Sequence, residues 1–154
     1  MTTSKEEADD TTAALAISLG SSHDRPISTS TPLLYKELSF RITGAAIEVH
    51  RHLGPGQLES TYERALTREL AYRGIPHLSQ VPITASYKGD AVGEFYGDVI
   101  VDDKIILELK CVDRIMPVHR SQVLSYLRAT GLRLGLIINF SAPVLWKGVT
   151  RVVR

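Results

Sequence analysis

GDVIVDDKIILELK, residues 97–110, places Asp98, Glu108 and Lys110 inside two runs otherwise suited to buried strands. Strand side chains alternate between faces, so Glu108 and Lys110 point one way and Leu109 the other. Whether Asp98 joins them depends on the intervening loop. A two-residue turn at Asp102-Asp103 would pair position 98 with 107 and put the two acids on opposite faces. A three-residue loop, Asp102-Asp103-Lys104, pairs Val101 with Ile105 and Asp98 with Glu108. Such a loop needs a left-handed residue, which Asp tolerates. If the acids act together, the three-residue loop or an equivalent bulge is the expected form.

Opposed carboxylates destabilise a sheet, and a buried unpaired acid is costly or stays protonated. A divalent cation relieves both problems. Mg²⁺ suits one or two carboxylates and keeps waters for a substrate phosphate. Lys110, one strand period beyond Glu108, is placed to hold an attacking water or a developing phosphate charge. The competing reading is a plain Glu–Lys surface pair on an edge strand. Ile105, Ile106 and Leu107 weigh against it, because a run that apolar belongs in a central strand.

Outward from this stretch, Leu38, Ile42, Ala45, Ala46, Val49 and Leu53 mark one helical face. Its start is read at Ser39 or earlier at Thr31-Pro32, its stop at Gly54-Pro55. Leu58, Tyr62, Ala65, Leu66 and Leu70 form the stripe of a second helix that ends at Gly74. HLSQVPITASY and AVGEFYGDVIV read as strands joined by a turn at Lys88-Gly89-Asp90. KIILELKCV is the third strand. PVHRSQVLSYLRATG returns to helical spacing, with Val118, Val123, Leu124 and Leu127 apolar and Gly131 as the stop. LRLGLIINF reads as a strand buried on both faces, and LWKGVTRVV as a last, more exposed one. The order α-α-β-β-β-α-β-β predicts an α/β (α+β) fold, a mixed central sheet flanked by helices.

The chain has 154 residues, enough for one domain and an extension. Residues 1–31, rich in Ser and Thr, hold two bases and five acids; the remainder holds sixteen bases and twelve acids, a net +4. The first segment is expected to be a disordered acidic tail, with a short helix near Asp10–Leu19, and 32–154 the folded domain. Its apolar patch AALAISL lacks the basic flank of a signal peptide. No apolar run approaches a membrane span, and Cys111, the single cysteine, excludes an internal disulfide. An intracellular, cytoplasmic or nuclear protein is expected, not a secreted one. The mild positive charge of the domain permits nucleic-acid binding without demanding it.

The acid near one strand, followed by acid-x-Lys on the next, resembles the PD-(D/E)XK nuclease superfamily. Here the motif reads Gly97-Asp98 and Glu108-Leu109-Lys110, with Gly97 where that pattern has proline. GAAIEVHRHLGPGQLESTYERAL further resembles the GxxExxY family of that superfamily, through Gly56, Glu59 and Tyr62. The resemblance runs from about Leu38 to about Val149. It implies a restriction-endonuclease-like core and a metal-dependent nuclease. Asp98, Glu108 and the backbone carbonyl of Leu109 would hold Mg²⁺ (or Mn²⁺). Glu59 would help bind metal or water, and Tyr62, on the same helical face, would join the substrate-binding set. QVLSY is similar to the QxxxY motif of lambda-exonuclease-like members, which implies that Gln122 supports the site and Tyr126 approaches the substrate. His119 shares that face and joins the substrate-binding set.

Each of these residues also has a plainer reading. Glu59 suits a solvated first helical turn, Tyr62 suits the core, and His119 suits a helix start without further role. Arg114, Arg120, Arg128 and Arg133 read as a basic strip or simply a solvated face. The expected partner is nucleic acid, DNA ahead of RNA. A protein partner or homo-oligomer is left open, and no membrane is expected. The alternative is a catalytically silent nucleic-acid- or protein-binding module on the same fold.

Overall fold

The computed structural model describes residues 33–154. The expected tail over 1–31, its short helix and the Thr31-Pro32 helix start lie outside the described residues. The elements are α1 (Lys36–Leu53), α2 (Glu59–Tyr72), β1 (His77–Tyr87), β2 (Asp90–Val101), β3 (Ile105–Lys110), α3 (Pro117–Thr130), β4 (Leu134–Asn139), a 3₁₀ turn (Leu145–Gly148) and β5 (Val149–Val153). The order is the one the periodicity predicts. One mixed sheet runs β1-β2-β3-β4-β5. β3 and β4 are parallel, and every other neighbouring pair is antiparallel.

β3 and β4 occupy the middle of the sheet, which explains their aliphatic runs: both of their faces are covered. On one side Val99, Val101, Ile105, Leu107, Leu109, Leu134, Leu136 and Ile138 pack with α1 and α2 through Ile42, Ala45, Ala46, Tyr62, Leu66 and Leu70. On the other, Ile100, Ile106 and Ile137 pack under Val123, Tyr126 and Leu127 of α3. The sequence of residue faces therefore follows strand alternation on both sides.

Three local readings are corrected. α1 begins at Lys36, after Tyr35 in left-handed backbone (φ 52°), so Ser39 is not its cap. The Ser39 hydroxyl instead accepts a hydrogen bond from Arg151 Nη1 at 2.9 Å, tying α1 to β5. The β1–β2 turn is only two residues, Lys88-Gly89, both at positive φ, so Asp90 already pairs with Tyr87. Leu58 and Val118 are solvent-facing because they sit at or before the first residues of their helices, where the apolar stripe has not yet turned inward.

α3 lies close on β4 at Gly135. A methyl group there would meet Val123 Cγ1 at 2.3 Å. Gly135→Ala is therefore expected to destabilise the fold by about 1–3 kcal/mol. Val123→Ala in the same chain should recover much of that loss. Thermal melts of the single and double variants check it; equal melting for Gly135→Ala and the parent would mean α3 rides higher than described.

Candidate active site

The β2–β3 connection decides the site. Asp102 and Asp103 both adopt left-handed backbone, at φ 50° and 51°. Lys104 N–H closes the turn on the Val101 carbonyl at 3.0 Å. Lys104 itself stays out of the ladder, and pairing resumes at Val101 with Ile105, then Ile100 with Ile106 and Val99 with Leu107. This is the three-residue register. Carried one step further, it sets Asp98 across from Glu108. There the ladder ends, and Asp98 Oδ2 accepts the Leu109 N–H at 2.8 Å instead.

Glu108 is 6% exposed, and its neighbours set its charge. Its Oε1 lies 3.2 Å from Lys110 Nζ, while Oε2 is buried with no partner among the described residues. Burial, and then the facing Asp98, push the carboxyl up to about 7, against the pull of Lys110. Asp98 is also raised, chiefly by burial. The Leu109 N–H opposes that rise, and Glu63 adds to it. Two acids at raised values, one of them with a buried oxygen that lacks a partner, form a site short of positive charge. Among the described residues no group of three His, Cys, Asp or Glu side chains forms a ready cage. The donor set is two carboxylates, a set that fits a hard divalent cation completing its shell with water or phosphate.

α2 closes one flank. A cleft of about 600 Å³ is lined by Gln57, Glu59, Glu63, Asp98, Leu109 and Cys111. Glu59, the first residue of α2, accepts the Cys111 N–H at 3.2 Å and so fixes the chain just beyond Lys110. The turn before it depends on Gly56, whose φ of 99° excludes side chains. Tyr62 holds that turn: its hydroxyl donates to the Gly54 carbonyl and accepts the Gln57 N–H at 3.2 Å. Its ring is fully buried, stacked on Phe140 at 4.3 Å. Tyr62, expected at the substrate, thus presents a ring with no exposed surface, stacked on the core. Tyr62→Phe should lower stability by about 1–2 kcal/mol, through the unpaired Gly54 and Gln57 groups. It should leave any cleavage rate within about two-fold, the range expected for a group that meets no substrate. A large loss of rate at unchanged stability would return Tyr62 to the site.

α3 closes the other flank. Tyr126 packs on Phe95 at 4.6 Å and is nearly buried. Burial, then Glu108, raise its hydroxyl, while the neighbouring Gln122 side chain pulls the other way. Tyr126 thus faces Glu108 from within the second core, and Gln122 lies beside it at the solvent edge. His119 does something else: its Nδ1 accepts the Met116 N–H at 2.9 Å and closes the first turn of α3. This bond caps the helix, as the place of His119 at the helix start allows. Cys111 is half-buried, its thiol raised by burial and by Glu59, which leaves it a poor nucleophile.

Three residues at or beside the site escaped the sequence reading. Glu63 follows Glu59 by one helical turn, and that spacing was its available signal. Gln80 of β1 bonds Glu63 across the fold. Asn139, at the end of β4, is 4% exposed and holds Val112 on both sides, donating to its carbonyl at 2.8 Å and accepting its N–H at 3.2 Å. It anchors the exit from β3. A larger groove of about 790 Å³, lined by Phe40, Leu136, Trp146 and Val149, is mostly apolar, with Glu37 its one acid, and does not suit this chemistry. No described helix is long and apolar enough to cross a membrane.

No curated protein and no solved structure matches the chain. The profile of one family does, over residues 36–152, which takes in both acids, Lys110 and all three helices. Nucleases of that family usually use divalent metal ions, and the match suggests nuclease activity on nucleic acid. With the mixed five-stranded sheet, the acid pair across the β2–β3 hairpin and a profile match over most of its length, the chain belongs to the PD-(D/E)XK nuclease superfamily.

Proposed function

We propose that this protein is a Mg²⁺- or Mn²⁺-dependent nuclease of the GxxExxY branch that hydrolyses phosphodiester bonds, DNA ahead of RNA. The observation that carries the reading is the buried, partnerless Oε2 of Glu108 beside Asp98. Lys110 meets only the other oxygen, at 3.2 Å, so this one is left for a cation to take. Gly56, Glu59 and Tyr62 support the branch through separate tasks: the turn, the acid facing the cleft and the buttress behind it.

Asp98, Glu108 and the Leu109 carbonyl would hold the ion. When bound, it supplies Lewis-acid polarisation of the phosphoryl group and offsets charge on the leaving oxygen. Lys110 orients the attacking water and stabilises charge developing on the phosphate oxygens. Glu59 keeps the segment after Lys110 in place and adds negative potential at the cleft. Gln122 and Tyr126 limit the approach of the substrate from the α3 side.

The test is cleavage of a panel of single- and double-stranded DNA and RNA with Mg²⁺, Mn²⁺ or EDTA, beside Asp98→Asn purified identically. Cutting that needs metal and disappears in Asp98→Asn is expected. Absence of cutting, with no Mn²⁺-induced rise in melting temperature, would leave a silent binding module on the nuclease fold.

A further inference from the structure

β1 carries an interruption that its pairing does not require. Ser79 pairs with Val99 and Val81 with Gly97, in one unbroken register. Gln80, between them and across from Asp98, stands outside the ladder at φ 49°. Left-handed backbone is rare for a residue other than Gly, Asn or Asp, and it clusters at functional sites. The bend sends the Gln80 side chain to α2, where Nε2 donates to both Glu63 oxygens, at 3.0 and 2.8 Å. Glu63 lines the cleft with Asp98 and Glu59.

We propose that Gln80 is a positioning residue that holds Glu63 toward Asp98, and that Glu63 sets how tightly the Asp98–Glu108 pair draws a divalent cation. The inference rests on the nuclease reading above. A plain tie between α2 and β1 explains the pair poorly. Both residues have solvent access, where a hydrogen bond contributes little more than the strain of the bend costs. Glu63 also repels Glu59 one turn away. Orientation gives the arrangement a reason. A carboxylate bonded through both oxygens cannot swing out to solvent, so its charge stays on the cleft. Such outer carboxylates tune ion affinity without touching the ion.

The test uses the full chain and Mn²⁺ alone, with affinity measured by calorimetry and melting in EDTA measured alongside. Glu63→Gln keeps the shape and drops the charge. Gln80→Gly suits the backbone and drops the amide. Each is expected to weaken Mn²⁺ binding about 10-fold, and the double variant little more than either single one, because both act through one group. The Mn²⁺ dependence of cleavage should shift in parallel. If the parent binds Mn²⁺ and Glu63→Gln binds it equally well, this inference falls and the nuclease reading stands. Should the parent itself bind no Mn²⁺, both fall. If Gln80→Gly does not fold, Glu63→Gln decides the question, since it changes one oxygen to an amide on a side chain with solvent access.

Discussion

Lys110→Ala is expected to cut phosphodiester hydrolysis by about 10²–10³-fold, the loss seen when one charge-stabilising donor is removed from a transition state. Lys110 is the last residue of β3, and its Nζ stays 3.2 Å from Glu108 with 17% of the side chain exposed. It is anchored yet reachable. Its neighbour Leu109 is core, so the substitution touches the charge and little packing. Lys110→Arg should not restore the rate, because the planar fork cannot replace a compact ammonium beside Glu108. Single-turnover rates of the parent and both variants, at saturating Mg²⁺, check this. A parent-like rate in Lys110→Ala would move charge stabilisation to another group.

The second large effect concerns stability. In EDTA at pH 8, Glu108→Gln is expected to melt several degrees above the parent. The folded carboxyl, at about 7, holds its proton more tightly than the unfolded one near 4.5. Between those values the folded state binds more protons, so stability falls as pH rises through the interval. At 1.36 kcal/mol per unit the destabilisation reaches about 3 kcal/mol above pH 7. Asp98, also raised, acts in the same direction. Glutamine removes the Glu108 share while keeping the shape. Below about pH 4 this group is neutral in both the folded and the unfolded parent, and the difference should vanish. Millimolar Mn²⁺ should reverse the ranking, raising the parent and not the variant. A Glu108→Gln variant that melts below the parent at pH 8, with or without metal, would identify an internal ion-pair network in place of a metal site.

Much of this site could be read from the chain before any coordinates. The aliphatic runs Ile105–Leu107 and Leu134–Ile138 announced central strands because nothing polar interrupts them. The hairpin register followed from requiring Asp98 and Glu108 to meet. What stayed hidden depends on backbone bends and long-range pairs. Gln80 looks like any polar strand residue until its left-handed φ sends it to Glu63, seventeen positions back in the chain. Asn139 closes on Val112 only because β3 and β4 lie side by side. Tyr62 and His119 carry the right chemistry for substrate contact, but local geometry claims them first, one for the turn before α2 and one for the first turn of α3. Spacing places a residue on a face; it does not say which of two neighbours takes its polar atom.

The loop at Asp102-Asp103-Lys104 carries a last consequence. Surface loops ordinarily absorb insertions and deletions. This one acts as a spacer that counts: where it re-forms with three residues after losing one, β3 slides past β2, Leu109 comes opposite Asp98, and Glu108 and Lys110 turn toward α1 and α2. A scan of single-residue deletions along the chain should therefore find tolerance at the Lys88-Gly89 tip and none at positions 102–104. Although exposed to solvent, this stretch has a length as constrained as any buried side chain of the sheet it sets.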